Sequence, residues 1–523
     1  MRLEELAGEL VDVLAGEDPL NELLQGYPGY EDRLPDIDEA AGQRLRDHAL
    51  RIAREASGLD PGDEVTRGVV IQQAGAVATR FDARLVEHTM VNHLTAPFAI
   101  LSILSQVEGG NLLARLESVP GFLASAAERH RAGVAAGRLP VGSLVRAAIG
   151  RIDAYLADPA ADRLRRPETE DVLDRKVRPA VAAYRAVLHD ELASAGRPDD
   201  RPGLCWLPGG SDTYAALVRM HTTTGRNPDE LHRTGLELIE RLAGEYREIG
   251  AAALGTRSVD EVRQRMRTDP ALRFRDAAEV LSTCRSAMDR AEAVLPRWFA
   301  RLPTHRCGLA PVPELDAPTA SSAGYQPGPL DGSRPGVFHV NTYRASERDR
   351  CVAEANTFHE AVGHHIQITL AQQLTGVPTL RRVAWINPYM EGFALYCERL
   401  ADEMNLYSDH VARLGMLAND SMRAARLVVD TGLHHLGWPR RRAVDYLRAN
   451  TVMSEVEIQS ETDRYIESPG QALSYMIGRL ELDRLRARTE RALGTSFDIR
   501  AFHDLILSTG PVPMAVLDDV VAL

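Results

Sequence analysis

The sequence has little of what would staple a small protein together or seat it in a membrane. Its 523 residues include only five cysteines, Cys205, Cys284, Cys307, Cys351 and Cys397. They are scattered, odd in number and never spaced as C-x-x-C. That excludes a disulfide frame and a cysteine-rich zinc site, and it points to reduced thiols in the cytosol. No run approaches the ~20 uninterrupted apolar residues of a membrane span. The opening stretch MRLEELAGELVDVLAGEDP is acidic and lacks the apolar core of a signal peptide. A basic surplus is also missing: the formal net charge is −13, which opposes general binding to nucleic acid or anionic membranes. There is no internal repeat, low-complexity tract or heptad run. The expectation is a cytoplasmic protein with no nucleic-acid or membrane partner, a homodimer being left open.

What is present is mostly helix. The length suffices for one large or two ordinary domains, and 44% apolar with 26% charged residues is an ordinary globular balance. Apolar residues recur at three- and four-residue steps in LEELAGELVDVLAG, LARLESVPGFLASAAERHRAG and DELHRTGLELIERLAGEYREIGAAAL. Asn227-Pro228-Asp229-Glu230 reads as a helix start. GYPGY at 26–30 and GRPDDRPG at 196–203 read as loops. Between about 303 and 345 the chain is rich in Pro, Gly and Ser. GVFHVNT within it is β-prone, so one or two strands are expected there. No sharp domain boundary shows. A soft division near residue 200 separates a helical N-terminal region, 1–200, from a region, 201–523, that carries the chemistry in one continuous cleft-forming unit.

That chemistry centres on NTFHEAVGHHIQ at 356–367. A hydrolytic zinc site needs three protein ligands and an open position for water. His359 with His364 or His365 supplies two, and Glu360 stands where the general base of an H-E-x-x-H helix stands. Glu391 and Glu398, in NPYMEGFALYCERL, are acids for the third position. The histidine spacing is five or six rather than four. In a regular α-helix an offset of five places side chains ~140° apart, too far to grip one ion. A π turn would stack residues five apart, and Gly363 would ease the distortion. The residues therefore favour His359 plus His364, with His365 as an outer contact or alternative ligand. Glu398, on the same face as Glu391, suits an outer contact too. With sixteen histidines in the chain, chance proximity is the competing reading.

Further along, Arg426, Asp430 and His434 follow at four-residue steps on one helix face. Asp430 could orient His434 or pair with Arg426, as a site wall or as a structural ion pair. DRYIESPGQALSY carries Arg464, Tyr465, Gln471 and Tyr475, in which a tyrosine suits an oxyanion and an arginine suits a carboxylate. Packing is an equal reading for each of them. Arg334, in DGSRPG, sits at a turn tip.

These segments resemble the DUF885 proteins, a bacterial family of zinc-metallopeptidase type with a fold similar to the helical M32 carboxypeptidases. The resemblance covers roughly 200–520. It rests on HTTTGRNPDELH, YQPGPLDGSRPGVFHVNT, the His359 segment, YMEGFALYCERL, RAARLVVDTGLHHLGW, SETDRYIESPGQALSYMIGRLEL and FHDLILSTGPVPMAVL. It implies a mainly α, large helical metallopeptidase-like fold with a deep cleft and a small β element near 305–345. It also implies one zinc ion on His359, one of His364 or His365, and Glu391, with Glu360 as base. By analogy of fold, Tyr475 is the oxyanion donor and Arg464 the carboxylate clamp, with Tyr465, Arg426 and His434 on the substrate side. The chain departs from the family's H-E-x-x-P-G-H-H by one residue. Met476 stands where a lysine is common, and His339 where a tyrosine is. The expected function is cleavage of a peptide or amide bond, in a short peptide or small amide, by zinc-activated water. The alternatives are a repurposed member acting on a small amino-acid-derived metabolite in a biosynthetic pathway, and a metal-free peptide-binding relic.

Overall fold

The computed structural model of the protein describes residues 2–20, 32–92, 95–106, 111–314, 316–318 and 320–522. The loop expected at 26–30 lies outside them. Helix dominates, and the periodic segments fold as expected: Arg2–Glu17, Leu112–Ala135 and Pro228–Leu254 are α-helices. The last begins as its sequence dictates. Pro228 takes the first position, and Asn227 and Glu230 cap each other's backbone N–H groups reciprocally.

The β element has three strands, not the one or two expected: β1 (Gly308–Pro311), β2 (Ala323–Gln326) and β3 (Val337–Val340). They lie in the order β1-β3-β2, with β3 parallel to β1 and antiparallel to β2. Only β3 alternates, burying Phe338 and Val340 against Val280, Cys284, Met288, Ala353 and Ala361. That contact presses the sheet onto the start of the histidine-bearing helix.

Two larger apolar clusters hold the rest, and both draw on residues before and after position 200. One surrounds the central helix, His410–His434, whose residues from Leu414 to His434 are buried except Met422. The other surrounds the histidine-bearing helix and includes Phe358, Tyr389 and Phe393, each at most 1% exposed. Burying each of these is worth about 1.5–3 kcal/mol.

Three glycines let the site's helices touch. A Cβ on Gly363 would lie 2.5 Å from Ala394 Cα, one on Gly392 2.5 Å from Gly478 Cα, and one on Gly478 1.8 Å from the Pro388 carbonyl oxygen. The helix Asn387–Glu403 is thereby clamped between the histidine-bearing helix and Ser474–Leu493. Gly363 thus serves close approach rather than an eased backbone. Met476, two residues before Gly478, is fully buried in the cluster around the central helix, where an apolar side chain packs and a lysine would have to bury its charge.

Candidate metal centre

The histidine-bearing helix is one rod in three parts: α over Ala353–Thr357, π over Phe358–His364, and α again over His365–Gln372. The π turn required by the five-residue spacing is therefore present. It carries the extra residue between His359 and His364 and brings their rings to 4.8 Å, edge to face.

Glu391 completes the convergence. Its Oε2 lies 3.4 Å from His359 Nε2 and 3.5 Å from His364 Nε2, and one ligand atom from each of the three residues falls within 4.8 Å of the others. Two ligands at ~2.0–2.1 Å from a tetrahedral zinc stand ~3.3–3.4 Å apart. The donor set and its spacing thus fit a divalent ion. Burial works against charge on His359, but the hydrogen bonds to Glu391 and Glu398 and the nearby charge of Glu360 outweigh it and raise its pKa to about 9. Burial likewise disfavours the Glu391 carboxylate, yet the two imidazoles hold its pKa well below the ordinary range.

Behind the cluster a second layer fixes the rings. His359 Nδ1 donates to Glu398 Oε1 at 2.8 Å, and Asn419 Nδ2 donates to Glu398 Oε2 at 2.9 Å. Glu398 is fully buried. This is the carboxylate–histidine arrangement that points the other imidazole nitrogen at a metal. Gln367 Nε2 donates to the Met390 carbonyl at 2.6 Å and lies 3.2 Å from His364 Nδ1. Glu360 has no hydrogen-bond or ion-pair partner among the described residues.

His365 turns the other way. Its Nε2 donates to the His305 carbonyl at 3.0 Å and its Nδ1 receives the Tyr325 hydroxyl at 3.1 Å. Both nitrogens are taken, so it is not the alternative ligand. Its role is to tie the helix to β2. His339 lies on β3 with Nε2 3.1 Å from Gln326 Oε1.

The second group of expected residues divides. Tyr475 comes near the cluster: its phenol is raised in pKa by burial and by the charge of Glu391, and Arg426 and Arg464 lower it. The Arg426 guanidinium lies 4.7 Å over its ring. Arg464 is not a free clamp. It is bidentate to Glu461, with both bonds at 2.8 Å, and Nη1 donates to Gln471 Oε1 at 2.8 Å. The fully buried Tyr465 hydroxyl donates to Glu461 at 2.6 Å and accepts from Arg426 Nε at 3.0 Å. His434 is a packed core residue: Nε2 donates to the Tyr465 carbonyl, Nδ1 accepts from Leu204 N–H, and burial lowers its pKa to about 4. Asp430 neither orients His434 nor pairs with Arg426. It accepts from the Tyr214 hydroxyl at 2.6 Å and from Gly470 N–H at 3.0 Å.

Three neighbours carry no sequence signal of their own. Trp385, 44% exposed, stands with its ring 6.4 Å from that of His364. Asn419 braces Glu398. Arg423, in the segment RAARLVV, is buried one helical turn further on, its Nη2 4.0 Å from Glu398 Oε1.

Comparison with known proteins follows this geometry. The model of a family described as a bacterial protein of unknown function, DUF885, matches residues 19–521. The chain belongs to the DUF885 family. It is similar in structure to a protein from Colwellia psychrerythraea described as a putative lipoprotein, with a TM-score of 0.91 and 25% identity over 100% of this chain and 98% of that one. It also resembles a putative lipoprotein of unknown function from Shewanella oneidensis, with a TM-score of 0.76 and 16% identity over the whole of both chains. No curated protein matches it. The family match reaches well into the first 200 residues, beyond the segments that carried the resemblance. Among the described residues no helix is long and apolar enough to cross a membrane.

Proposed function

We propose that this DUF885 member is a zinc-dependent hydrolase of peptide or amide bonds. The observation that carries the reading is the convergence of His359, His364 and Glu391 across a π turn, with the Glu391 carboxylate 3.4 and 3.5 Å from the two imidazole nitrogens. Bound there, a zinc ion would supply a Lewis acid for the amide carbonyl and acidify the attacking water. Glu360, adjacent to His359 and unpartnered, takes the proton from that water and passes it to the leaving amine. Tyr475 donates its hydroxyl proton in a hydrogen bond to the carbonyl oxygen as negative charge gathers on it. Glu398 and Asn419 hold the His359 ring in register. The site is proposed to work in the cytoplasm. The description of two relatives as lipoproteins makes the cell envelope the competing location, and cell fractionation decides between them.

The test is metal analysis of protein purified without chelator, followed by peptide-library cleavage. About one zinc per chain is expected. Glu360→Gln should keep that zinc and lose turnover by about 10²–10⁴-fold. Full turnover by Glu360→Gln would overturn the proposed base, and protein that takes up no divalent metal would overturn the hydrolase.

A further inference from the structure

A single exposed aromatic side chain on a protein surface needs no explanation. Trp385 does, because of where it stands. Among the described residues three aromatic side chains stay exposed, Trp206, Tyr343 and Trp385. Arg201 lies over the ring of Trp206, and Arg344 over that of Tyr343. Trp385, 44% exposed, has no such cover among the described residues. Its ring instead lies 6.4 Å from that of His364, tilted by 31°.

The indole is also held in place. It stands two residues before the helix Asn387–Glu403, which carries Glu391, and its Nε1–H donates to Asn387 Oδ1 at 2.6 Å. Ala384 and Ile386 on either side of it are 4% and 1% exposed and belong to the apolar cluster around the histidine-bearing helix. The one polar atom of the side chain is thus spent inside the chain, and what remains open is apolar. A second ring near His364 repeats the pattern. Tyr325 lies 6.5 Å from it, ring to ring, at 22°, with its hydroxyl bonded to His365 Nδ1. Tyr325 is the more enclosed of the two, so Trp385 is the aromatic face still open beside the cluster.

A fixed apolar face gains stability only when another apolar group covers it. Beside a hydrolytic centre the group brought there is part of the substrate. A peptide whose scissile carbonyl lies at the cluster carries its flanking side chain within reach of a ring 6.4 Å from that of His364. We infer that Trp385 sets the specificity of this site, as the platform for an aromatic or large aliphatic side chain next to the scissile bond. The substrate class narrows to peptides or amides that carry such a group. This rests on the hydrolase reading.

The experiment uses the zinc-loaded protein and two hydroxamates, acetohydroxamic acid and 3-phenylpropanohydroxamic acid. Both offer zinc the same chelating group, and they differ in the phenyl arm. Calorimetry should find the phenyl compound bound about tenfold or more tightly. Trp385→Ala should bring that ratio to about one, and Trp385→Phe should keep most of it by keeping an aromatic face. Equal binding of the two hydroxamates by the parent protein overturns the inference, and so does a preference that survives Trp385→Ala. A tryptophan that only packs against its own helix would give the second result, with a lower melting temperature and the ratio intact. The hydrolase reading fails differently: protein that holds no zinc, or zinc that neither hydroxamate binds, overturns that reading and the inference with it.

Discussion

Two buried helices in this protein carry far more polar side chains than cores usually hold, and they treat them in opposite ways. Over most of its length the central helix, His410–His434, spends them on the protein itself. Asp420 receives Arg479 at 2.7 Å and a second arginine, Arg399, which also binds Glu245. Asp430 receives Tyr214 and Gly470, and both nitrogens of His434 are taken by backbone. The histidine-bearing helix leaves two imidazoles facing Glu391 of the next helix, and beside them Glu360, the proposed base, with no partner among the described residues. Burial alone does not mark a functional polar group. The marker is convergence: several ligand-type atoms meet at one point, beside a carboxylate that no described residue engages. Asn419, which donates to Glu398, is the member of the central helix that reaches the site.

The largest break in this comparison should come from Asp420→Ala. It leaves Arg479, 3% exposed, with only Asp483 at 3.6 Å as a carboxylate partner among the described residues. Removing one partner of a buried ion pair costs about 3–5 kcal/mol, so the denaturant midpoint should drop sharply. Zinc content of the remaining folded protein should be unchanged. A small stability change would show that the two helices are not so differently built.

Glu398→Ala sharpens the boundary between them, since this residue is braced by Asn419 of the central helix yet serves His359. Zinc affinity should fall about 10–100-fold, the usual effect of losing a partner behind a histidine ligand, as read by competition with a chromogenic chelator. Unaltered affinity would mean that the His359 ring is held by packing alone.

The contrast explains what the sequence made legible. The residue count between His359 and His364 is covalent, so the need for a π turn follows from the spacing itself. Glu391 and Glu398 follow from helical period. Hydrogen-bond ownership is less often local. Arg464 is held by Glu461 one turn back on its own helix, a three-residue spacing that the sequence does carry, and by Gln471 beyond the helix end. Asp430 and His434 do share a face, but their partners Tyr214, Gly470 and Leu204 are distant in the chain. β1 and β2 are hard to recognise for a related reason. Neither alternates in burial, and both exist by pairing with β3.

The smallest and most specific effect belongs to Asp430, a satisfied group that still bears a cost. Burial raises its pKa from 3.8 to about 7, against the lowering effect of its hydrogen bonds from Tyr214 and Gly470. The folded protein therefore holds a proton that the unfolded chain releases. The associated stability is fully present below pH 3.8 and is lost as pH rises toward about 7. Asp430→Asn keeps a carbonyl oxygen for both donors and removes the ionisation. The melting temperature of the variant should therefore gain on that of the parent between pH 5 and pH 7.5, by on the order of 2 °C. Zinc binding should not change. A difference in melting temperature that is flat with pH would mean that Asp430 is not protonated in the fold. A loss of zinc would place it within the site, and the division between the two helices would then have to be redrawn.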